Sequence, residues 1–258
     1  MTSNVAVVLA SSDNTVDVGT LIAHALSRAW LDCPYPKYVV LSTDAARWDD
    51  NSWQRLVAGR SDGWREELIA ALACLEPSIQ QVILILDDFL FLKPVDTELV
   101  AAVVRDAQHR GMGYVRLKPV DRSWLGNVLR RLTPLRIERL QPNEPYPSSL
   151  QIALWRRDHL LRMLTLPGTI WDFEHQYLPD EPHYAIAGAR PIKYRHVVER
   201  GRWLGYAPRL FARVGLPFEP GDRPVWDRFY MMRSAVGRIR FGLFGYLPMR
   251  IKQVLRRD

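Results

Sequence analysis

The chain holds no apolar run approaching the roughly 20 residues that a membrane-spanning helix needs, so a helical membrane span is not expected. Cysteine is nearly missing: Cys33 and Cys74 have neither metal-ligand spacing nor partners enough for a disulfide framework, and are expected to be reduced thiols without a role. The histidines are scattered, without the paired spacing of a zinc site, and no Gly-rich phosphate loop is present. There is no internal repeat and no low-complexity segment. The short apolar stretch 5–10 has no basic flank before it and runs into Ser11, Ser12 and Asp13, so it reads as a first strand rather than a signal peptide, and a cytoplasmic protein is expected.

What remains is the composition of a soluble globular domain, 48% hydrophobic and 24% charged, in a chain of 258 residues, long enough for a one-sheet α/β fold with inserted loops. The net charge of +7 is concentrated at one end: residues 231–258 carry seven basic side chains against the single acid Asp258. The body is almost balanced, which argues against nucleic acid as a partner, since basic residues would then track a groove or helix of the folded domain. A catalytic domain over 1–215 is expected, followed by a basic amphipathic extension over 216–258.

Along the first half, short aliphatic runs alternate with helical spacing, the pattern of a mainly parallel sheet flanked by helices. Strands are expected at 4–10, 38–42, 82–86, 113–117 and 150–155, with a last one over 191–198. Val18, Leu21, Ile22, Ala25, Leu26 and Ala29 form one helical face, and Trp64, Leu68, Ala71, Leu72 and Leu75 a second, with Asp62 placed to cap it. Asp96 caps a third helix that stops at Gly111. Residues 118–147, rich in Pro and Arg, are expected to be loops with one short amphipathic helix over 124–132, followed by a short helix over 158–164.

The strongest chemical signal is Asp87-Asp88, directly after the all-aliphatic strand Val82-Ile83-Leu84-Ile85-Leu86. Open α/β sheets place their ligands at such strand ends. Carboxylates among apolar neighbours need a cation, hydrogen-bond donors or solvent. Two readings fit: a divalent metal, Mg²⁺ or Mn²⁺, held together with substrate phosphates, or a strand-end turn in which one Asp accepts backbone N–H groups. Arg65, early in a helix that precedes this strand, could reach a diphosphate. Ser148, Ser149 and Gln151 offer donors and acceptors for sugar hydroxyls, Gln151 being the best placed, or else plain turn chemistry.

The run Leu86-Asp87-Asp88-Phe89 resembles the Asp-x-Asp region of GT-A-type glycosyltransferases. Its company strengthens the likeness: Gly63-Trp64 before it, Tyr114-Val115-Arg116-Leu117 after it, then Ser148-Ser149-Leu150-Gln151 leading to Trp155, and Trp171-Asp172-Phe173-Glu174. In this order they resemble bacterial glycosyltransferases of surface-polysaccharide synthesis, over about residues 5–205. The resemblance implies a Rossmann-like GT-A domain, a nucleotide-diphosphate sugar as donor, and a glycan or lipid-linked glycan as acceptor. It implies that Asp88 and Asp87 hold the metal, with His196 as a third ligand, and that Ser11 and Asp13 contact the nucleotide. Where that group has Asp-x-Asp this chain has adjacent carboxylates, which leaves open nucleotide binding without a metal. Sugar transfer needs a group that takes the acceptor proton, and Glu174 is the nominee, with Trp171 and Phe173 partly desolvating it and stacking on an acceptor sugar.

The segment 236–255 interleaves Arg and Lys with Ile, Leu, Phe and Tyr, which fits a peripheral contact with an anionic membrane or an extension packed on the domain. Alternatives to the glycosyltransferase are another metal-dependent enzyme of nucleotide substrates, such as a nucleotidyltransferase, and a non-enzymatic adaptor at the membrane surface.

Overall fold

The structure, a computed structural model, describes residues 4–44, 47–59, 63–119, 133–141, 144 and 146–226. Asp62, the helix expected over 124–132 and the basic segment 231–258 lie outside them. The chain divides into two compact units, Met1–Arg195 and His196–Asp258.

The first unit is built on an eight-stranded sheet in the order β3-β2-β1-β4-β8-β6-β9-β7. Its strands are β1 (Val5–Ala10), β2 (Lys37–Leu41), β3 (Gln54–Val57), β4 (Gln81–Leu86), β6 (Tyr114–Arg116), β7 (Arg136–Arg139), β8 (Ala153–Arg156) and β9 (His183–Ala187). Only β8 and β7 run against the rest: β1 pairs in parallel with β2 and β4, β2 with β3 and β6 with β9, while β8 is antiparallel to β4 and β6, and β7 to β9. The expected α/β class, a mainly parallel central sheet flanked by helices, is therefore what the chain forms.

The aliphatic runs of β1 and β4 are central because both of their faces are covered. Ala6, Val8, Val82 and Leu84 point into a core cluster under α2 (Trp64–Ala73), α4 (Arg157–Leu164) and α5 (Ile170–His175), with Trp155 and Phe173 wholly buried in it. Val5, Val7 and Leu9 face the other way and are as deeply buried. α1 (Val16–Ala29) and α3 (Thr97–His109), whose apolar stripes stay out of that cluster, are joined by Trp30 Nε1, which donates to Thr97 Oγ1 at 2.9 Å. Asp96 caps α3 as expected, accepting Leu99 N at 3.0 Å, and Gly111 (φ 62°) follows its end. The N-cap position of α2 is Gly63.

Several elements were not legible beforehand. β3 buries only Leu56, and β7 reads Arg-Ile-Glu-Arg; both are sheet edges, where polar and charged residues replace the aliphatic run. The last strand expected over 191–198 is two short ones, β10 (Tyr194–His196) and β11 (Val198–Glu199). β10, on which the division between the units falls, pairs with β5 (Phe89–Phe91).

In the second unit β11 and β12 (Arg202–Trp203) form a hairpin whose two-residue turn, Arg200 (φ 50°) and Gly201 (φ 72°), takes the left-handed conformation that such tight turns require. Trp203 packs edge-on against Phe211 of α6 (Ala207–Arg213) and against Phe218. No helix among the described residues is long and apolar enough to cross a membrane.

Candidate active site

β1 and β4 are neighbours, but their connections leave in opposite directions, β1 towards β2 and β4 towards β8 and β6. A crevice opens at the carboxyl ends of strands where the order reverses in this way. The sequence puts Ser11, Ser12 and Asp13 at the end of β1 and Asp87 and Asp88 at the end of β4, so tertiary pairing brings residues 76 positions apart to the same point. Asp87 N donates to Ala10 O at 3.2 Å, and Ser11 Oγ donates to Asp87 Oδ2 at 2.8 Å. Gly19 lets the first turn of α1 approach: a Cβ there would stand 2.6 Å from Ser11 Oγ.

Asp13 fastens the crevice from the β2 side. Its Oδ1 accepts Thr43 N at 3.0 Å and its Oδ2 accepts Thr43 Oγ1 at 2.6 Å, which ties the loop after β1 to the loop after β2. Carrying the β4–β8 register two residues on sets Gln151 opposite Leu86, beside the carboxylate pair. Gln151 Oε1 accepts Tyr194 Oη at 2.8 Å and Lys118 Nζ at 3.4 Å.

Glu174 lies on α5, held by the capping box of Thr169 and Asp172. Its Oε1 accepts Leu150 N at 2.9 Å and Ser149 Oγ at 3.2 Å, docking α5 on the segment that enters β8. Both bonds fall on Oε1. Trp171, one turn back on the same side of α5, is 67% exposed, as a stacking platform must be. Phe173 is different: it is fully buried against Trp64 and Trp155 and presents no face to an acceptor. Its burial is what anchors a helix of only six residues.

Arg65 is also buried, 6% exposed, with Nη2 donating to Thr169 O at 3.0 Å and the guanidinium against the rings of Trp64 and Phe173. It supports α5, while its Nε and Nη1 are buried and meet no acceptor among the described residues. His196 is exposed and belongs to the second unit.

Among the described residues no group of three or more His, Cys, Asp or Glu side chains is arranged to hold a metal ion. The donor chemistry at the crevice still suits one in part. Two adjacent hard carboxylates, one accepting Ser11, are the protein share that Mg²⁺ or Mn²⁺ takes when substrate phosphates and water complete its shell.

At the amino ends of β6 and β9 is a buried polar relay that residue order did not reveal. Glu181 meets Arg156 at 2.6 Å and Arg162 at 3.4 Å; His159 Nδ1 comes within 3.0 Å of Glu181 without forming a hydrogen bond; His159 Nε2 meets His183 Nε2 at 2.8 Å; and His183 Nδ1 lies 3.1 Å from Pro147 O and 3.2 Å from Ser148 Oγ. Gly113 leaves room for it, since a Cβ there would fall 2.4 Å from Glu181 and 2.7 Å from His159. Burial, with Arg156 and Arg162 nearby, pushes His159 down to about 4, and burial does the same to His183. The relay ends on the Pro147-Ser148 turn, next to Ser149 and Leu150, which hold Glu174.

Tyr194, which bonds Gln151, and Arg116 at the end of β6 were not singled out from the sequence as candidates. The available signal was an arginine two positions after Tyr114 in an otherwise apolar interior strand.

No protein-family model matches the chain, and no curated protein matches its sequence. Among solved structures it is similar to a homologue of Mycobacterium tuberculosis Rv0371c from Mycobacterium sp. strain JC1, at 13% identity over 74% of this chain and 90% of that one, with a TM-score of 0.45. It is similar to the galactosyltransferase LgtC in complex with donor and acceptor sugar analogues, at 10% identity over 84% of this chain and 98% of that one, with a TM-score of 0.43. A third similar structure is 4-diphosphocytidyl-2C-methyl-D-erythritol synthase from Anaerococcus prevotii, at 10% identity over 70% of this chain and 85% of that one, with a TM-score of 0.41.

Proposed function

We propose that this chain is a glycosyltransferase that moves a sugar from a nucleotide-diphosphate sugar to a hydroxyl of a glycan or lipid-linked glycan in bacterial surface-polysaccharide synthesis. The observation that carries the reading is the Ser11–Asp87 bond, which sets two carboxylates in the crevice where the strand order reverses. The nucleotide lies along the ends of β2 and β1, and its diphosphate reaches Asp87 and Asp88. A divalent ion bound with the donor would be held by Asp88 and Asp87 and would offset the charge developing on the departing diphosphate. Gln151 orients the sugar. Trp171 stacks on the acceptor, whose hydroxyl oxygen forms the new bond to the sugar's anomeric carbon while Glu174 Oε2 takes its proton. The bond from that carbon to the diphosphate breaks, and its electron pair leaves on the diphosphate oxygen. Residues 231–258 would hold the enzyme at an anionic membrane surface, where a lipid-linked acceptor is found.

The test is a melting-temperature screen of nucleoside diphosphates with and without Mn²⁺. A ligand at a hundred times its Kd stabilises by about 2.7 kcal/mol, an expected rise of about 5 °C or more. No shift with any of them sinks the donor assignment. Products then separate the reaction types, because sugar transfer releases a nucleoside diphosphate and nucleotidyl transfer releases pyrophosphate.

Glu174→Gln keeps an oxygen to accept Leu150 N and Ser149 Oγ, so the fold and the nucleotide-induced shift should be retained. Transfer should fall by about a hundred-fold or more, the usual contribution of a positioned base. A mutant with wild-type turnover removes Glu174 from that role.

A further inference from the structure

Arg116 is the last residue of β6 and is 7% exposed, yet its Nε and Nη2 are shut off from solvent and meet no acceptor among the described residues. A guanidinium cannot discharge itself by losing a proton, and a buried cation without a counter-charge is costly. The place it occupies is a specific one. The β6–β8 pairing sets Arg116 opposite Ala153, continues through Leu117 N donating to Ile152 O at 2.9 Å, and brings Lys118 to Gln151. β8 and β6 are the next two strands beyond β4, and the register sets Arg116 level with Leu84, about 10 Å across the sheet from it and three residues short of Asp87. The flanking residues in the sheet, Ala153 and Ala185, are small. Its charge also acts on the hydroxyls of Tyr114 and Tyr194, both of which burial pushes far up and Arg116 draws back.

We infer that Arg116, with Lys118 beside it, forms an oxyanion subsite at the end of the crevice away from the nucleotide. Its planar fork suits two oxygens of one phosphate or carboxylate group. The inference rests on the transferase reading for its two sources of that group: the distal phosphate of the donor diphosphate, or a negatively charged substituent on the sugar. In either case Arg116 binds and orients the reacting end of the substrate, while Ser11 and Asp13 lie at the nucleotide end.

The experiment is titration calorimetry of the full chain, without metal, using inorganic pyrophosphate and glucuronate as separate probes against wild type, Arg116→Gln and Arg116→Lys. Wild type should bind at least one probe. Arg116→Gln should weaken that binding ten-fold or more, with Arg116→Lys in between because it keeps the charge and loses the fork. A loss confined to pyrophosphate assigns the subsite to the diphosphate, and one confined to glucuronate assigns it to a charged sugar. Wild-type binding of neither probe, or equal binding by wild type and Arg116→Gln, overturns the subsite. Should Arg116→Gln fail to fold, the Arg116 Nε–H resonance of the wild type decides: a shift on titration with the bound probe supports the subsite, and a static signal overturns it. The two readings fail separately. A wild type that takes a nucleoside diphosphate while Arg116→Gln takes both probes normally loses only the subsite. Probe binding through Arg116 without binding of any nucleoside diphosphate loses only the transferase.

Discussion

Asp88→Asn is expected to lower sugar transfer by about a hundred- to a thousand-fold while the protein stays folded, the scale seen when one fixed charge-stabilising group is removed from a site. The substitution keeps the size of the side chain and removes its negative charge. Asp87→Asn is the informative companion, because an amide oxygen can still accept Ser11 Oγ and preserve the β1–β4 link that shapes the crevice. If the pair works through a metal, Asp88→Asn also loses the Mn²⁺-dependent part of the nucleotide-induced melting shift, and the metal-independent part persists. If the pair binds without metal, the shift of the mutant is insensitive to Mn²⁺, as in the wild type. Transfer assays on both mutants check this directly, and near-wild-type turnover in Asp88→Asn would falsify the assignment of the crevice as the reaction centre.

Acid should unfold the protein earlier than its carboxylates require. His159 and His183 are held at about 4 in the folded chain, against roughly 6.5 for an imidazole in the unfolded one. Protonation therefore favours the unfolded state. The stability associated with the neutral pair is fully present above pH 6.5 and is lost as the pH falls from 6.5 to 4. Each pKa unit corresponds to about 1.4 kcal/mol, so each imidazole should cost on the order of 3 kcal/mol across that window. Asp158 contributes in a lower range, because Arg156 and the backbone N–H of His159 hold its carboxyl below the ordinary value, outweighing burial. Denaturant midpoints measured at intervals between pH 7 and 4 give the slope, and His183→Gln should flatten it. An unchanged midpoint down to pH 4.5 would show that the imidazoles titrate normally. Because the relay ends at the turn beside Ser149 and Leu150, transfer should decline over the same pH range.

The parts of this protein readable from residue order are those where one local rule decides. Five consecutive aliphatic residues in β4 cannot be half-solvated, so both faces must be covered and the strand must be central. Asp96 followed by an apolar stripe caps a helix with whatever packs against it. Two carboxylates after such a strand need a partner wherever the chain leads them. These rules yielded the α/β class and the carboxylate pair from the sequence alone. Edge strands follow no such rule: Gln54–Val57 and Arg136–Arg139 take strand form from their neighbours' hydrogen bonds, and their side chains read as loop. The site itself depends on pairing at long range, which brought Ser11 to Asp87, Lys118 to Gln151, and His159 to His183. Phe173 shows the same limit from the other side, since an aromatic suits a sugar or a core equally well until packing places it. The Asp87-Asp88 pair was legible because its chemistry is costly anywhere. That Asp87 accepts Ser11 in a crevice, with a buried arginine two strands away, was decided only when the strands were set in order.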